Sequence, residues 1–160
     1  MQNPYAKFIG GRNPREVIQA TPERLTAIAG RLGPGGLDRA PAPGKWSVRQ
    51  ILCHLADGEI AFAFRIRQTL AEPNHVIQPF DQDAWGRYYA SPSLDAHSAL
   101  EAFSAARRWN LALLDAIGEE DFARPVTHPE RGAMTLQTIV ETMAGHDINH
   151  LEQLERIAAA

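Results

Sequence analysis

Proline and glycine cut this 160-residue sequence into four long stretches, and each stretch repeats its apolar residues at the three- and four-residue spacing of one helix face. No segment sustains the two-residue alternation of a half-buried strand. A helix with one apolar stripe must bury it against a neighbour, and four such helices of similar length have a standard solution. The expected fold class is all-α, a four-helix bundle, formed as a single domain over residues 1–160.

Local signals set the expected boundaries. Asn13-Pro14-Arg15-Glu16 reads as a helix start, with Asn13 as N-cap, Pro14 at the first helical position and Glu16 at the third. Thr21-Pro22-Glu23 reads as a second start or a kink, because Pro22 has no backbone N–H. The first helix is expected to end near Leu32, before Gly33-Pro34-Gly35-Gly36. Ser47 and Gln50 form a capping box, and Trp46 and Ile51 form its hydrophobic staple, so a second helix is expected from about Val48 to Leu70. Residues 73–92 read as a long loop, and such loops are uncommon unless they contribute to a site. A third helix is expected from about Leu94 to Ile117, with Gly118 as its C′ residue. Residues 119–133 read as a connection with room for a short extended pair. Thr135 then caps a fourth helix that runs to about Ile157, with Met134 and Ile139 as its staple.

Composition narrows the function classes. The apolar fraction of 44% supports a sizeable core, and the net charge of −3 supplies neither a basic footprint for nucleic acid nor a cationic face for a membrane. One cysteine, Cys53, excludes an internal disulfide and fits a reducing compartment. The first residues lack the apolar core of a signal peptide, and no apolar run approaches membrane-spanning length. A cytoplasmic protein with no nucleic-acid or membrane partner is expected.

The histidines carry the chemistry. His146 and His150, in HDINH, lie roughly 40° apart around a helix and about 6 Å apart along it, so both rings can reach one metal ion. They fall within the stripe of Leu136, Ile139, Val140, Met143, Leu151, Leu154 and Ile157, and therefore face the core. On the second helix, His54 lies at the edge of the stripe of Ile51, Leu55, Phe62 and Ile66. Three inward imidazoles on two helices match the three-ligand geometry of a reactive metal site, whereas three unrelated buried rings would each need a polar partner. Gly58, one turn beyond His54, serves either to leave room beside the metal or to let helices pack closely. Asp147 is a candidate to orient a ligand ring or to act as a base on bound water. Its competing role is an ion pair with an inward arginine, Arg65 or Arg107. Asp57 is either a partner of the ligands or solvent-exposed. Asp81, Asp83 and Trp85 either form a pocket mouth or simply pack the loop. His75, His97 and His128 read as surface or loop histidines, and Cys53 faces away from His54.

Other motif readings fail on the residues. HDINH resembles the zincin pair, but only ten residues follow His150 and none is a histidine. The one E-x-x-H run, Glu72 to His75, is broken by Pro73, so a di-iron carboxylate bundle is excluded. There is no glycine-rich phosphate loop and no G-x-S-x-G element.

The runs GKWSVRQILCHLADGE, PFDQDAW and HPERGAMTLQTIVETMAGHDINHLEQL together resemble the DinB/YfiT-like superfamily of helical metal-binding proteins, which is unrelated to the DNA polymerase of similar name. The resemblance spans about residues 13–157. It implies a four-helix bundle, usually homodimeric, that holds one divalent metal ion, often nickel or zinc. Its ligands would be His54, His146 and His150. It also implies a small-molecule substrate, with a low-molecular-weight thiol as co-substrate in thiol S-transferases and isomerases, or water in hydrolases. The leading expectation is therefore a metal-dependent transferase or hydrolase. A non-catalytic metal-binding or structural bundle, and a metal-free bundle with ordinary core histidines, are the alternatives.

Overall fold

The structure is a computed structural model, and it describes residues 3–159. Four long helices form the bundle: α2 (Pro14–Gly36), α3 (Val48–Ala71), α5 (Ala96–Ala116) and α6 (Leu136–Ala159). A short α1 (Ala6–Ile9) precedes them, and α4 (Gln82–Gly86) lies between α3 and α5. Strands β1 (Pro125–His128) and β2 (Gly132–Thr135) form an antiparallel hairpin between α5 and α6. Around the bundle, α2 packs on α5 and α6, and α3 packs on the same two helices from the other side.

The helix starts follow the capping chemistry. Asn13 Oδ1 accepts from Arg15 N, and Pro14 stands at the first helical position. Ser47 and Gln50 close a complete capping box, with Ser47 N donating to Gln50 Oε1 at 2.8 Å. Thr135 Oγ1 accepts from Thr138 N at 3.3 Å, and the staple residues Met134 and Ile139 are buried in one apolar cluster.

Three boundaries differ from expectation. Helix α2 continues through Pro22, and its non-helical residue is Gly33 at φ 62, so Pro22 neither starts a new helix nor ends one. The third long helix begins at Ala96, because Asp95 rather than the preceding segment caps it, its Oδ1 accepting from Ser98 N at 2.9 Å. Gly118 has φ −82 and is the N-cap of the 3-10 turn Glu119–Ala123, not a left-handed helix terminator.

The 73–92 segment is a loop with internal order. Asp81 caps α4, accepting from Asp83 N and Ala84 N, and a 3-10 turn follows at Arg87–Ala90. Gly86 explains how it docks: a Cβ there would lie 2.7 Å from Trp46 Cζ2, so only glycine lets α4 press on that indole. Near its start the segment joins the hairpin, with Ile77 N donating to Thr127 O at 2.8 Å.

The core is divided. One apolar cluster holds Leu25, Ile51, Leu55, Phe103 and Leu154. A second holds Ile18, Phe62, Ile66, Leu114, Ile139 and Met143. In chain order the buried polar residues Thr21, Glu59, Arg107, His146 and Asp147 lie between members of the two clusters on their helices. A polar layer thus crosses the middle of the bundle, and the histidines sit in and beside it.

Candidate metal centre

His54 on α3 and His146 and His150 on α6 converge, each offering one ring nitrogen, with all three nitrogens within 4.8 Å of one another. His54 Nε2 and His146 Nε2 lie 3.0 Å apart, close to the roughly 3.3 Å that two ligands of a tetrahedral zinc ion with ~2.05 Å bonds would show. All three residues are buried. Two facing nitrogens can share only one proton, and a third beside them leaves lone pairs converging on one point. That donor set fits a divalent cation.

The surroundings keep the rings neutral. Burial lowers the His54 pKa to about 3, with His150 adding to the effect. Burial also lowers His150 to about 4, against the opposing pull of Gln153 and Asp147. His146 is pushed well below the ordinary value by burial, then by His150, His54 and Arg107. Neutral imidazole is the form that binds metal, so these shifts favour ligation. His150 Nδ1 lies 3.1 Å from Gln153 Oε1. A carboxamide oxygen can only accept, so Nδ1 carries the proton and Nε2 is left as the ligand atom. Trp46 packs on His54 at 5.0 Å between ring centroids, and the edge of Tyr5 meets His146 at 5.2 Å.

Two cavities reach the histidines. The larger, about 590 Å³, is lined by Trp46, His54, Asn149, His150 and Gln153, with Gln82 and Asp83 at α4. The smaller, about 300 Å³, is lined by His54, Gly58, Phe62, Arg65, His128, Arg131 and His146. Tyr5 borders both. Its segment is held close because Gly145 has no Cβ; one there would lie 2.6 Å from Tyr5 Cβ and from its carbonyl oxygen.

Other expected site residues take different places. Both carboxylate oxygens of Asp147 engage Arg107, at 2.6 and 3.1 Å, and Asp147 is 1% exposed. The ion pair with an inward arginine therefore describes its surroundings, and no hydrogen bond among the described residues joins it to the three histidines. Arg107 also donates to Glu59 Oε2 and to the Ile18 carbonyl, each at 2.7 Å. That carbonyl is the one Pro22 leaves without its helical donor, so the arginine replaces the missing N–H. Burial alone would lower the Arg107 pKa, but Asp147 and Glu59 hold it above its ordinary value.

Asp57 is neither beside the ligands nor free in solvent: it accepts from Tyr89 Oη at 2.7 Å and ties α3 to the 87–90 turn. Of the three loop residues, Asp83 lines the larger cavity, Asp81 is a helix cap, and Trp85 stacks on Phe80 at 4.4 Å. A Cβ on Gly58 would meet His146 Cε1 at 3.6 Å, an ordinary contact, so neither close packing nor a clash fixes glycine there. His97 is exposed as expected, but His75 and His128 are buried by the pairing of the loop with the hairpin. Sequence reasoning missed Gln153, Glu59, Tyr5 and Arg131. Gln153 follows His150 by three residues, and Glu59 lies between Leu55 and Phe62 on the buried stripe, so both had a helical-spacing signal. Tyr5 and Arg131 arrive through tertiary packing and had none.

A helical bundle with a buried tri-histidine cluster, open to solvent-reaching cavities, defines the class. The model of the DinB superfamily matches residues 18–154, and the chain belongs to that superfamily. A protein of Oceanobacillus iheyensis, provisionally named a metal-dependent hydrolase, is 30% identical over 118 residues, covering 74% of this chain and 68% of the relative. YfiT of Bacillus subtilis, provisionally named in the same way, is 26% identical over 145 residues, covering 89% of this chain and 81% of the relative. The solved structure of YfiT, described as an unusual four-helix bundle, superposes with a TM-score of 0.83 at 23% identity over 91% of this chain and 84% of that one. Among the described residues, no helix is long and apolar enough to cross a membrane.

Proposed function

We propose that the protein is a metal-dependent enzyme in which His54, His146 and His150 hold one divalent ion, nickel or zinc, and that it acts on a small molecule as a hydrolase or thiol S-transferase. The observation that carries this reading is the convergence of three neutral, buried imidazoles beside two cavities. A divalent ion held by His54, His146 and His150 would supply Lewis acidity, which makes a water or thiol a better nucleophile at neutral pH. The chain's own residues orient the ligands and shape the space. Gln153 fixes the tautomer of His150, Trp46 and Tyr5 pack the rings, and the Arg107–Asp147–Glu59 cluster anchors α3, α5 and α6 to one another beneath them. Asp147 acts on this reading as a positioning residue, through Arg107 and through the field it exerts on His150.

A cytoplasmic, homodimeric state in one domain over residues 1–160 completes the proposal. Exposed Ile60 and Phe64 on α3, and Trp109 on α5, supply apolar surface for pairing, and light scattering at twice the mass of the chain is the expected result. The function is tested by reconstituting the protein with nickel or zinc. Transfer of several low-molecular-weight thiols to an electrophile, and hydrolysis of ester and amide panels, are then assayed. Metal-dependent turnover that disappears in His54→Ala supports the enzyme; stoichiometric metal with no turnover on any panel identifies a non-catalytic binder.

A further inference from the structure

The smaller cavity contains two arginines that the protein leaves without a counter-ion. Arg65 comes from α3 and Arg131 from the turn of the β-hairpin, and both line the space next to His54 and His146. The turn is set by local chemistry: Arg131 N donates to His128 O at 3.2 Å, and Gly132 follows at φ 78, a left-handed conformation that favours glycine. Arg15, Arg31, Arg49, Arg107 and Arg124 each form an ion pair. Among the described residues, neither Arg65 nor Arg131 forms an ion pair or a guanidinium hydrogen bond. Arg65 lies over the rings of Phe62 and Phe80, at 5.8 and 5.5 Å, which hold it in place without neutralising it. Glu130 also borders the cavity, but it is exposed and pairs with neither.

Both charges are felt across the cavity. Burial lowers the Arg65 pKa, and Arg131 lowers it further. Burial also lowers His128, with Arg131 and then Arg65 adding to the effect, against Glu130. Two like charges that line one partly desolvated pocket repel each other. A divalent ion held by the neighbouring histidines would add to the same positive potential. A bound oxyanion relieves all of these terms, and guanidinium groups match carboxylate and phosphate geometry.

We propose that this cavity is an oxyanion-binding subsite, in which Arg65 and Arg131 grip a carboxylate or phosphate group of the substrate and so place its reactive end at the three histidines. As a substrate subsite it rests on the metal-centre reading; anion binding by the arginines does not. The test is calorimetric titration of the full chain with inorganic phosphate and, separately, with benzoate, the two arms distinguishing the phosphate from the carboxylate source. Wild type, Arg65→Gln, Arg131→Gln and His150→Ala are compared, with metal content and thermal unfolding measured for each.

The expected result is saturable one-to-one binding of at least one probe. Each arginine variant should weaken it about tenfold or more, with fold and metal content unchanged, and binding should persist in His150→Ala. Wild-type affinity in both arginine variants overturns the proposal. So does no binding of either probe to wild type at about 10 mM, the concentration scale of a very weak site. Binding that disappears with the metal but survives both arginine replacements overturns it as well, because the anion is then a metal ligand. A chain that takes up no metal yet binds the probe through both arginines supports the anion site and refutes the metal centre, and with it the placing of a substrate at that centre.

Discussion

Replacing Arg107 with methionine should cost the protein a large part of its stability, and the reason lies in two separate debts that one side chain settles. Arg107 is 1% exposed and faces two carboxylates, Asp147 and Glu59, that are equally buried. Removing one member of a buried ion cluster strands the others, at about 3–5 kcal/mol. Arg107 Nη1 also serves the Ile18 carbonyl that Pro22 cannot serve, and stranding that oxygen adds about 1 kcal/mol. The sum is comparable to the total stability of many domains, on the order of 5–15 kcal/mol. Urea unfolding followed by circular dichroism gives the loss directly. A double-mutant cycle separates the terms. Pro22→Ala restores the helical N–H, so Arg107→Met should cost about 1 kcal/mol less in that background. A loss below about 1 kcal/mol for Arg107→Met, within the range of ordinary surface changes and their error, would refute the reasoning. So would full additivity with Pro22→Ala, for the carbonyl part.

The metal-free protein should lose stability on acidification through the histidines. Their folded pKa values lie below the ordinary 6.5, at about 3 for His54 and about 4 for His150. The unfolded chain therefore binds more protons once pH falls below about 6.5, at about 1.4 kcal/mol per unit per group. The loss should flatten only near those lower values; urea midpoints that stay flat between pH 6.5 and 4.5 would contradict it. Gln153→Leu removes the acceptor for His150 Nδ1 and should weaken metal binding about 10–100-fold in a chelator competition. Two glycines should diverge. Gly58→Ala meets only an ordinary contact and should stabilise the helix by up to about 1 kcal/mol. Gly145→Ala collides with Tyr5 and should cost about 1–3 kcal/mol, with faster hydrogen exchange in residues 5–9.

Much of this architecture was legible because its determinants are local. Ser47, Gln50, Asn13 and Thr135 have side chains that bond the backbone within three residues, and their helices begin where those bonds require. The three histidines were legible because helical azimuth is fixed by numbering, so residues four apart on an apolar stripe point into the same core. Legibility ended where partners are distant in sequence. Pro22 reads as a second helix start or a kink until the structure supplies Arg107 from α5 to satisfy Ile18. The 73–92 segment reads as open loop until Gly86 admits the edge of Trp46 and Ile77 pairs with Thr127. Arg65 on α3 and Arg131 in the hairpin turn line one cavity, and no periodicity encodes that juxtaposition.

The central claim is that His54, His146 and His150 form one metal site. Its most direct test is metal stoichiometry by mass spectrometry after reconstitution and exhaustive dialysis, for wild type and His150→Ala at matched folded content. A single tri-histidine site should hold about one equivalent in wild type and less than about 0.2 in the variant, as loss of one of three ligands requires. Wild-type metal below about 0.2 equivalents, or equal occupancy in the two proteins, would contradict it.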